Sequence, residues 1–177
     1  DINNYIKYQY FNQIDKNYKW RSGIKHDASK VMELTKINDT FYNGFNEEVD
    51  IEEKFVYPIL KSSDISKSNI KPRKFIIITQ KHVGSNTDNI RKEAPKTWSY
   101  LIKHSKILDN RKSIIYKKQS RFAIFGIGEY SFSPWKVAIS GLYKNINFSV
   151  IGMMDNKEIM LDDTCYFISC SSKQEAE

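Results

Sequence analysis

The chain has 177 residues, enough for one substantial core with a small subdomain, and carries a formal net charge of +7. No apolar run reaches transmembrane length and no signal peptide is visible, so the sequence argues against membrane association. The two cysteines, Cys165 and Cys170, alternate with apolar residues as strand positions do and have no neighbours for a zinc site or a disulfide framework. We therefore expect a cytoplasmic protein, and, because the chain begins at Asp1 without a Met, an excised part of a longer one.

The charge is unevenly distributed along the chain. Residues 61–121 contain 16 Lys or Arg against 4 Asp or Glu, a net charge of +12, whereas the remainder is at −5. A basic block beside an acidic remainder indicates a one-sided electrostatic face, which is typical of nucleic-acid binding. The alternative is a protein that covers its whole surface with lysine, which explains the lysine content better than the segregation.

The first third of the chain predicts a linker followed by strands. Residues 1–19 are rich in Tyr and Asn without a clear period and predict a linker or an edge segment. Trp20–Leu34 predicts two short strands around a tight turn at residues 23–28. That turn presents a basic, polar set suited to phosphate or base-edge contact, namely Arg21, Lys25, His26, Asp27 and Lys30.

A hairpin and a central strand are predicted next. Asn43-Gly44 is a two-residue turn signal inside a hairpin spanning Asp39 to Ile59, in which Pro58 suits a strand end or an edge. Residues 61–65 predict a polar turn, and the β-branched run Phe75–Thr79 a buried central strand.

One helical segment interrupts the strands. Pro95 suits a first helical turn, and the segment is expected to end in charge at Asp109–Lys112. Its apolar positions recur near helical spacing at Trp98, Leu101, Ile102, Ile107 and Leu108. Its opposite face is predicted to carry Lys96, Lys103, His104, Lys106 and Arg111.

The last third of the chain reads as strands. They are predicted at residues 113–116, 122–125, 137–139, 147–151, 158–161 and 164–169, with a turn at Asp155-Asn156. The tail, residues 171–177, is polar and predicted to be disordered. Residues 20–170 thus predict one α+β domain with a mixed, mostly antiparallel sheet and one main helical excursion.

The segment Arg121–Lys144 predicts a strand, a loop and a second strand. Gly126 and Gly128 break the first apolar run, and the loop that follows is rich in aromatic and hydroxyl groups. Such a loop can contact a polyanion or can pack its own aromatic rings to close the core. Trp135 and Phe132 allow the same two interpretations: a base-stacking wedge, or, with preference, core packing.

Motifs for catalysis are mostly missing. Gly126-Ile127-Gly128 lacks the third glycine of a dinucleotide or S-adenosylmethionine loop, and Ser133-Pro134-Trp135 lacks the second proline of an amino-methyltransferase loop. No Walker loop, G-x-S-x-G or HExxH occurs. We therefore predict no catalytic and no metal-binding residues on this chain. A Mg²⁺-dependent nuclease site built from Asp39, Glu52 and Lys54 is an alternative, but E-x-K arises by chance in a chain this charged.

The order of five weak motifs resembles one family. Arg21–Leu34, Tyr57–Ile65, Pro95–Ser113, Arg121–Lys144 and Leu161–Ile168 are similar, in this order, to the elements of the C-terminal target-recognition domain of TaqI-like adenine-N6 DNA methyltransferases, including type II restriction–modification enzymes. His26-Asp27 stands where many relatives have Thr-Gly, so the contact made by that turn is expected to differ.

The resemblance implies a bacterial, non-catalytic module that grips double-stranded DNA and reads its sequence. A covalently linked N-terminal methyltransferase domain would bind S-adenosylmethionine; no cofactor is expected on this chain. The DNA-contacting residues of the first turn would then be those given above, joined by Lys61, Ser62, Ser63 and Asp64 in a second turn and by Lys117, Lys118, Gln119, Arg121, Tyr130, Trp135 and Lys136 in a third.

Two residues of this set carry alternative readings. Asp27 and Asp64 could accept a hydrogen bond from a cytosine amine or orient an arginine, although for Asp64 an Asx-turn or helix-cap role is the preferred interpretation. A protein-interaction domain remains a third hypothesis for the chain as a whole.

Overall fold

A computed structural model describes residues 18–142 and 147–177. Most of the predicted linker at residues 1–19 lies outside the described ranges. The architecture is α+β with mostly antiparallel strand pairing, which confirms the predicted fold class. Within these ranges, no helix is long and apolar enough to cross a membrane.

The larger sheet has six strands in the order β11-β5-β6-β2-β3-β4. Its members are β2 (Glu33–Ile37), β3 (Thr40–Tyr42), β4 (Glu48–Val49), β5 (Val56–Leu60), β6 (Lys74–Ile77) and β11 (Met160–Leu161). The pair β3–β4 forms a hairpin as predicted, but residues 43–47 connect the two strands instead of a two-residue turn at Asn43-Gly44. Strand β6 lies between β5 and β2 as a central strand should. Only β11 pairs in parallel, with β5.

The smaller sheet has four antiparallel strands in the order β1-β12-β7-β8. They are β1 (Arg21–Ser22), β7 (Trp135–Ser140), β8 (Ser149–Ile151) and β12 (Cys165–Cys170). A separate hairpin joins β9 (Met153–Met154) to β10 (Lys157–Glu158) through Asp155 and Asn156, whose φ angles of 51° and 59° are those of the turn type that suits two-residue hairpins. The predicted turn at this position is therefore confirmed.

The helices are short and lie mainly in one excursion. They are α1 (Ser29–Met32), α2 (Ser62–Ser66), α3 (Ile90–Glu93), α4 (Pro95–Lys103), α5 (Ser105–Asp109) and α6 (Lys173–Ala176), with 3-10 helices at Glu53–Phe55, Ile114–Lys118 and Glu129–Phe132. Pro95 begins α4 as predicted, because a first-turn residue needs no N–H partner. Tyr100 and Leu101 of α4 pack into the main hydrophobic core with Ile76, Ile77 and Phe122.

Two expectations about this helical face are wrong. His104 and Arg111, placed on the charged outer side, are 8% and 7% exposed, whereas Ile102 and Ile107, placed inside, are 38% and 40% exposed. The helix is interrupted at His104, between α4 and α5, so the helical spacing of side chains does not continue from one helix to the next.

The apolar run at residues 122–125 is buried up to Ile124 but does not form the predicted strand. Its carbonyl groups are taken by other donors: Phe122 O accepts from Thr79 Oγ1 at 2.8 Å, and Ala123 O from Arg111 Nη1 at 2.7 Å. Only Phe125 makes a β-bridge, with Lys25. Polar side chains thus replace the ladder that a neighbouring strand would supply.

Four further predictions need correction. Residues 113–116 were expected in a strand, but Ile114–Lys118 is a 3-10 helix. Pro58 lies inside β5 rather than at its end, which the sheet tolerates because pairing with β11 begins one residue later at Ile59. Residues 29–32 form α1 instead of strand, and the tail forms α6, whose Ala176 is buried and whose start is capped by the Ser172 hydroxyl.

Candidate nucleic-acid interface

The first turn is held between two other parts of the chain. Ile24 N donates to Leu161 O at 2.6 Å, and Lys25 exchanges two backbone hydrogen bonds of 2.9 Å with Phe125. Gly23 fits only because it lacks a side chain, since a Cβ there would lie 2.3 Å from the carbonyl oxygen of Asp162. The backbone of this turn is therefore fixed by the residues before β12 and by the start of the third turn.

The charged groups of the first turn contact either one another or aromatic rings. Lys25 Nζ lies 2.7 Å from Asp27 and 3.2 Å from Asp163, and the hydrogen bond with Asp27 raises the pKa of the Lys25 ammonium. Arg21 stacks over the Tyr130 ring at 4.7 Å, and Lys30 lies over the Phe45 ring at 5.4 Å. Asp27 therefore neutralises the neighbouring Lys25, a role different from the predicted base contact.

His26 is inside the protein, which corrects its predicted place on the surface. It is 6% exposed, its Nδ1 accepts the Ala28 N–H at 3.2 Å, and its Nε2 lies 3.4 Å from Glu33 Oε1. Both ring nitrogens are therefore engaged within the chain, and His26 shapes the turn from beneath.

Glu33 is the buried acid that joins the first two turns. Its side chain is 2% exposed, yet three basic side chains surround it: His26, Lys61 at 2.6 Å and Lys74 at 3.3 Å. Burial raises the pKa of the Glu33 carboxyl, but hydrogen bonds from His26 and Lys61 outweigh that effect and lower the pKa to about 2. Residues 26, 33, 61 and 74 come from four elements that this cluster ties together.

The second turn is the start of α2, and its side chains mostly stabilise that start. Asp64 Oδ2 accepts the Lys61 N–H at 3.0 Å and Oδ1 accepts from Arg73 at 3.1 Å, which agrees with the helix-cap interpretation. Ser62 is 2% exposed and its hydroxyl hydrogen-bonds that of Ser140, so its predicted DNA contact is wrong. Ser63 is half-buried and its carbonyl accepts from Ser66.

The third turn contains both exposed and buried members of the predicted set. Lys117 and Lys118 are exposed on the 3-10 helix, and Gln119 follows them half-buried. Arg121 is exposed but makes a two-pronged contact with Asp109, at 3.0 Å and 2.6 Å.

Lys136 is 1% exposed, which makes its predicted phosphate contact wrong. Its Nζ donates to Ser133 O at 2.8 Å, and burial lowers the pKa of the ammonium to about 8. Buried and half-buried residues alternate along β7, and Lys136 lies on the buried face of the strand.

The aromatic residues of the third turn pack within the chain. Phe132 meets the Tyr57 ring edge-on at 5.7 Å, and Tyr130 lies 6.0 Å from Phe167. Trp135 covers Gly152, where an added Cβ would lie 2.9 Å from the indole ring. These contacts favour the core-packing interpretation over a base-stacking wedge.

Arg111 connects the third turn to the first and was not among the predicted site residues. Its guanidinium donates to four carbonyl groups, those of Leu108, Ala123, His26 and Arg121, at 2.7–3.3 Å. It also stacks on Tyr116 at 3.7 Å. The L-x-x-R spacing from Leu108 to Arg111 is the signal that could have identified it.

The contacts join the three turns into one assembly. Lys25 pairs with Phe125, Arg21 covers Tyr130, and Glu33 links His26 to Lys61. Tyr116 lies beside Asp27, and burial together with the Asp27 charge raises the pKa of Tyr116 to about 12.

The alternative nuclease set is not assembled. Glu52 accepts hydrogen bonds from the Lys96 and Thr97 N–H groups at 3.0 and 2.8 Å, so its carboxylate caps the start of α4. Burial raises the pKa of Glu52, but a hydrogen bond from the Thr97 hydroxyl, together with those two backbone bonds, outweighs burial and lowers the pKa to about 2. Asp39 has a side chain 95% exposed and pairs with Lys36. Across residues 18–142 and 147–177, no group of three His, Cys, Asp or Glu could hold a metal ion.

The fold has a counterpart among restriction–modification enzymes. The chain matches part of the structure of the Type IIL restriction-modification enzyme MmeI in complex with DNA, with a TM-score of 0.57 and 14% identity, over 90% of this chain and 20% of that one. At that identity the likeness concerns the fold alone.

Sequence similarity identifies a more specific relative. The chain is homologous to the Type II methyltransferase M.NspV of Nostoc sp., with 55% identity over 159 residues. The match covers 89% of this chain and 33% of the relative, so the chain spans about a third of the length of that methyltransferase. No family model matches the chain.

Proposed function

We propose that the chain is the target-recognition domain of a bacterial adenine-N6 DNA methyltransferase of a restriction–modification system. In this function it grips duplex DNA and reads its sequence, while methyl transfer belongs to a linked N-terminal domain that binds S-adenosylmethionine. The observation that carries the proposal is the 55% identity to one third of a type II methyltransferase. The remaining two thirds of such a protein leave room for a separate catalytic domain.

The distribution of charge supports the DNA-binding part of the proposal. The segment with a net charge of +12 supplies Lys106, Lys112, Lys117 and Lys118, and among the described residues none of these has an ion-pair partner. Unpaired ammonium groups can displace counterions from phosphates without first breaking a contact within the protein. We therefore place the phosphate contacts at Lys117 and Lys118 rather than at Arg121 or Lys136.

The joined turns support the sequence-reading part. Reading a base edge requires side chains held on a fixed backbone, because an unfixed group loses ordering entropy on binding. The backbone at residues 24–26 is fixed by Leu161, Phe125 and Arg111. The proposed base-contacting candidates are Arg21, Lys30, Ser63 and Gln119, each of which is exposed or half-buried.

Fluorescence anisotropy with labelled duplex DNA over a series of salt concentrations tests the proposal. We expect weak binding, because the contacts of the catalytic domain are missing. The logarithm of the association constant should fall linearly with the logarithm of salt concentration, because phosphate contacts release counterions. We also expect no methyl transfer from S-adenosylmethionine by this chain alone. Undetectable binding at low salt, or binding that is independent of salt, would contradict the proposal.

A further inference from the structure

An apolar side chain projects from the basic segment just described. Ile114 is 73% exposed, the largest exposed fraction among the large hydrophobic residues of the described chain. It begins the 3-10 helix Ile114–Lys118, whose Tyr116 is 9% exposed and faces inward. In a helix of this type, side chains three residues apart eclipse one another, so Ile114 and Lys117 lie on the same outer side.

The surroundings of Ile114 are cationic. Lys112 precedes it and Lys117 and Lys118 follow it, and all three are exposed. Within residues 18–142 and 147–177 none of the three has an ion pair with an acid. An apolar protein surface would bind this isoleucine poorly, because the unpaired lysines around it would lose water without gaining a counter-charge. A polyanion with an apolar interior satisfies both the lysines and the isoleucine.

The projection is held rigidly beside the first turn. Arg111, 7% exposed, anchors the segment before Ile114 by donating to the carbonyl groups of His26, Ala123 and Arg121. Its guanidinium also stacks on Tyr116, the inward residue of the same 3-10 helix. A side chain on a fixed backbone loses little conformational entropy when it enters a partner, and an effective wedge requires this.

We infer that Ile114 is a wedge that enters the base stack of duplex DNA while Lys112, Lys117 and Lys118 hold the flanking phosphates. This inference rests on the proposed function, and it adds a residue and a way of deforming DNA that the function itself does not require. Apolar wedges of this kind partly unstack one base step and kink the duplex.

A comparison of two duplexes tests the wedge without knowledge of the recognised sequence. One duplex is fully paired, and the other has the same sequence with a small central bulge that already disrupts one stack. The full chain is expected to bind the bulged duplex about tenfold more tightly, since the bulge removes the cost of unstacking. Ile114→Ala is expected to lose this preference while keeping the slope of affinity against salt, and Ile114→Leu is expected to keep both.

Ile37→Ala is the matched control. Ile37 is 54% exposed at the end of β2, where the neighbouring Lys36 is paired with Asp39. It should behave as the parent chain does, and thermal denaturation of each variant checks that its fold is intact.

The outcomes separate the wedge from the proposed function. Salt-dependent binding without a preference for the bulge, or a preference that survives in Ile114→Ala, overturns the wedge alone. Absence of binding to either duplex at low salt overturns the proposed function and the wedge with it.

Discussion

The first turn and the segment at residues 112–118 are both rich in cations, but they hold them differently. In the first turn Lys25 contacts two carboxylates, and the neighbouring Lys61 contacts the buried Glu33. In the second segment Lys112, Lys117 and Lys118 are exposed and, in the described ranges, without acidic partners. A count of basic residues treats the two regions alike, whereas only unpaired cations are available to a polyanion. Four measurements test whether the acidic partner of a cation decides its role.

The largest expected effect is on folding, at Glu33. Glu33→Ala removes the buried acid that His26, Lys61 and Lys74 share, so buried charged hydrogen bonds are lost, and we expect a loss of about 1.5–3 kcal/mol in the free energy of unfolding because Lys61 and Lys74 are partly exposed to water. Urea denaturation measures it. Asp39→Ala, at a side chain 95% exposed, should change the free energy by less than about 0.5 kcal/mol. Equal changes in the free energy of unfolding for Glu33→Ala and Asp39→Ala would show that His26, Lys61 and Lys74 do not depend on Glu33 for stability.

The same cluster predicts a loss of stability in acid. The pKa of Glu33 is about 2 in the folded chain against 4.5 for the free side chain, so its contribution is fully present above pH 4.5 and is lost as the pH falls towards 2. Urea denaturation at pH values from 6 to 2 gives the free energy of unfolding as a function of pH. This free energy should fall less steeply with falling pH in Glu33→Gln than in the parent chain. An unchanged slope would exclude Glu33 as a source of the acid sensitivity.

Lys136 gives the next effect, in the opposite direction. Its pKa is about 8 when folded against 10.5 when free, so folding favours the neutral amine and stability should rise between pH 8 and pH 10.5. Lys136→Met removes the cost of burying the amine, and we expect a gain of about 1–3 kcal/mol near pH 7 together with loss of this pH dependence. Denaturation curves at pH 7 and pH 10 measure both. A destabilised Lys136→Met variant would mean that the bond to Ser133 outweighs burial.

The smallest effect distinguishes paired from unpaired cations on DNA. Lys117→Ala with Lys118→Ala should lower the slope of log affinity against log salt by about 1.8, since each phosphate contact on duplex DNA contributes about 0.9. The charge-neutral pair Arg121→Gln with Asp109→Asn should leave the slope unchanged, because those two side chains already satisfy each other. A drop in slope for the neutral pair would mean that Arg121 leaves Asp109 for a phosphate.

The sequence predicts those parts of the fold that depend on local pattern. Asn43-Gly44, Asp155-Asn156, Pro95 and the run at residues 75–79 each identify an element that the structure contains. These signals depend on the φ angles and side-chain shapes of neighbouring residues, which a sequence displays directly.

What the sequence could not show was where a polar group finds its partner. Residues 122–125 read as a strand, but donors from Thr79, Gln80 and Arg111 occupy their carbonyl groups. His26, Ser62 and Lys136 read as surface contacts, but their partners Glu33, Ser140 and Ser133 place them inside. Ser140 lies 78 residues from Ser62 along the chain, so no local pattern indicates that pair.

The way in which Arg111 is bound has a consequence for altering the molecule. All four of its hydrogen bonds go to main-chain oxygens, which every amino acid supplies. The side chains of Leu108, His26, Arg121 and Ala123 can therefore be exchanged, as far as this anchor is concerned, while the framework that carries them persists. A library randomised at exposed positions 21, 30, 117 and 118 should accordingly yield mostly folded proteins, a favourable starting point for re-engineering the chain.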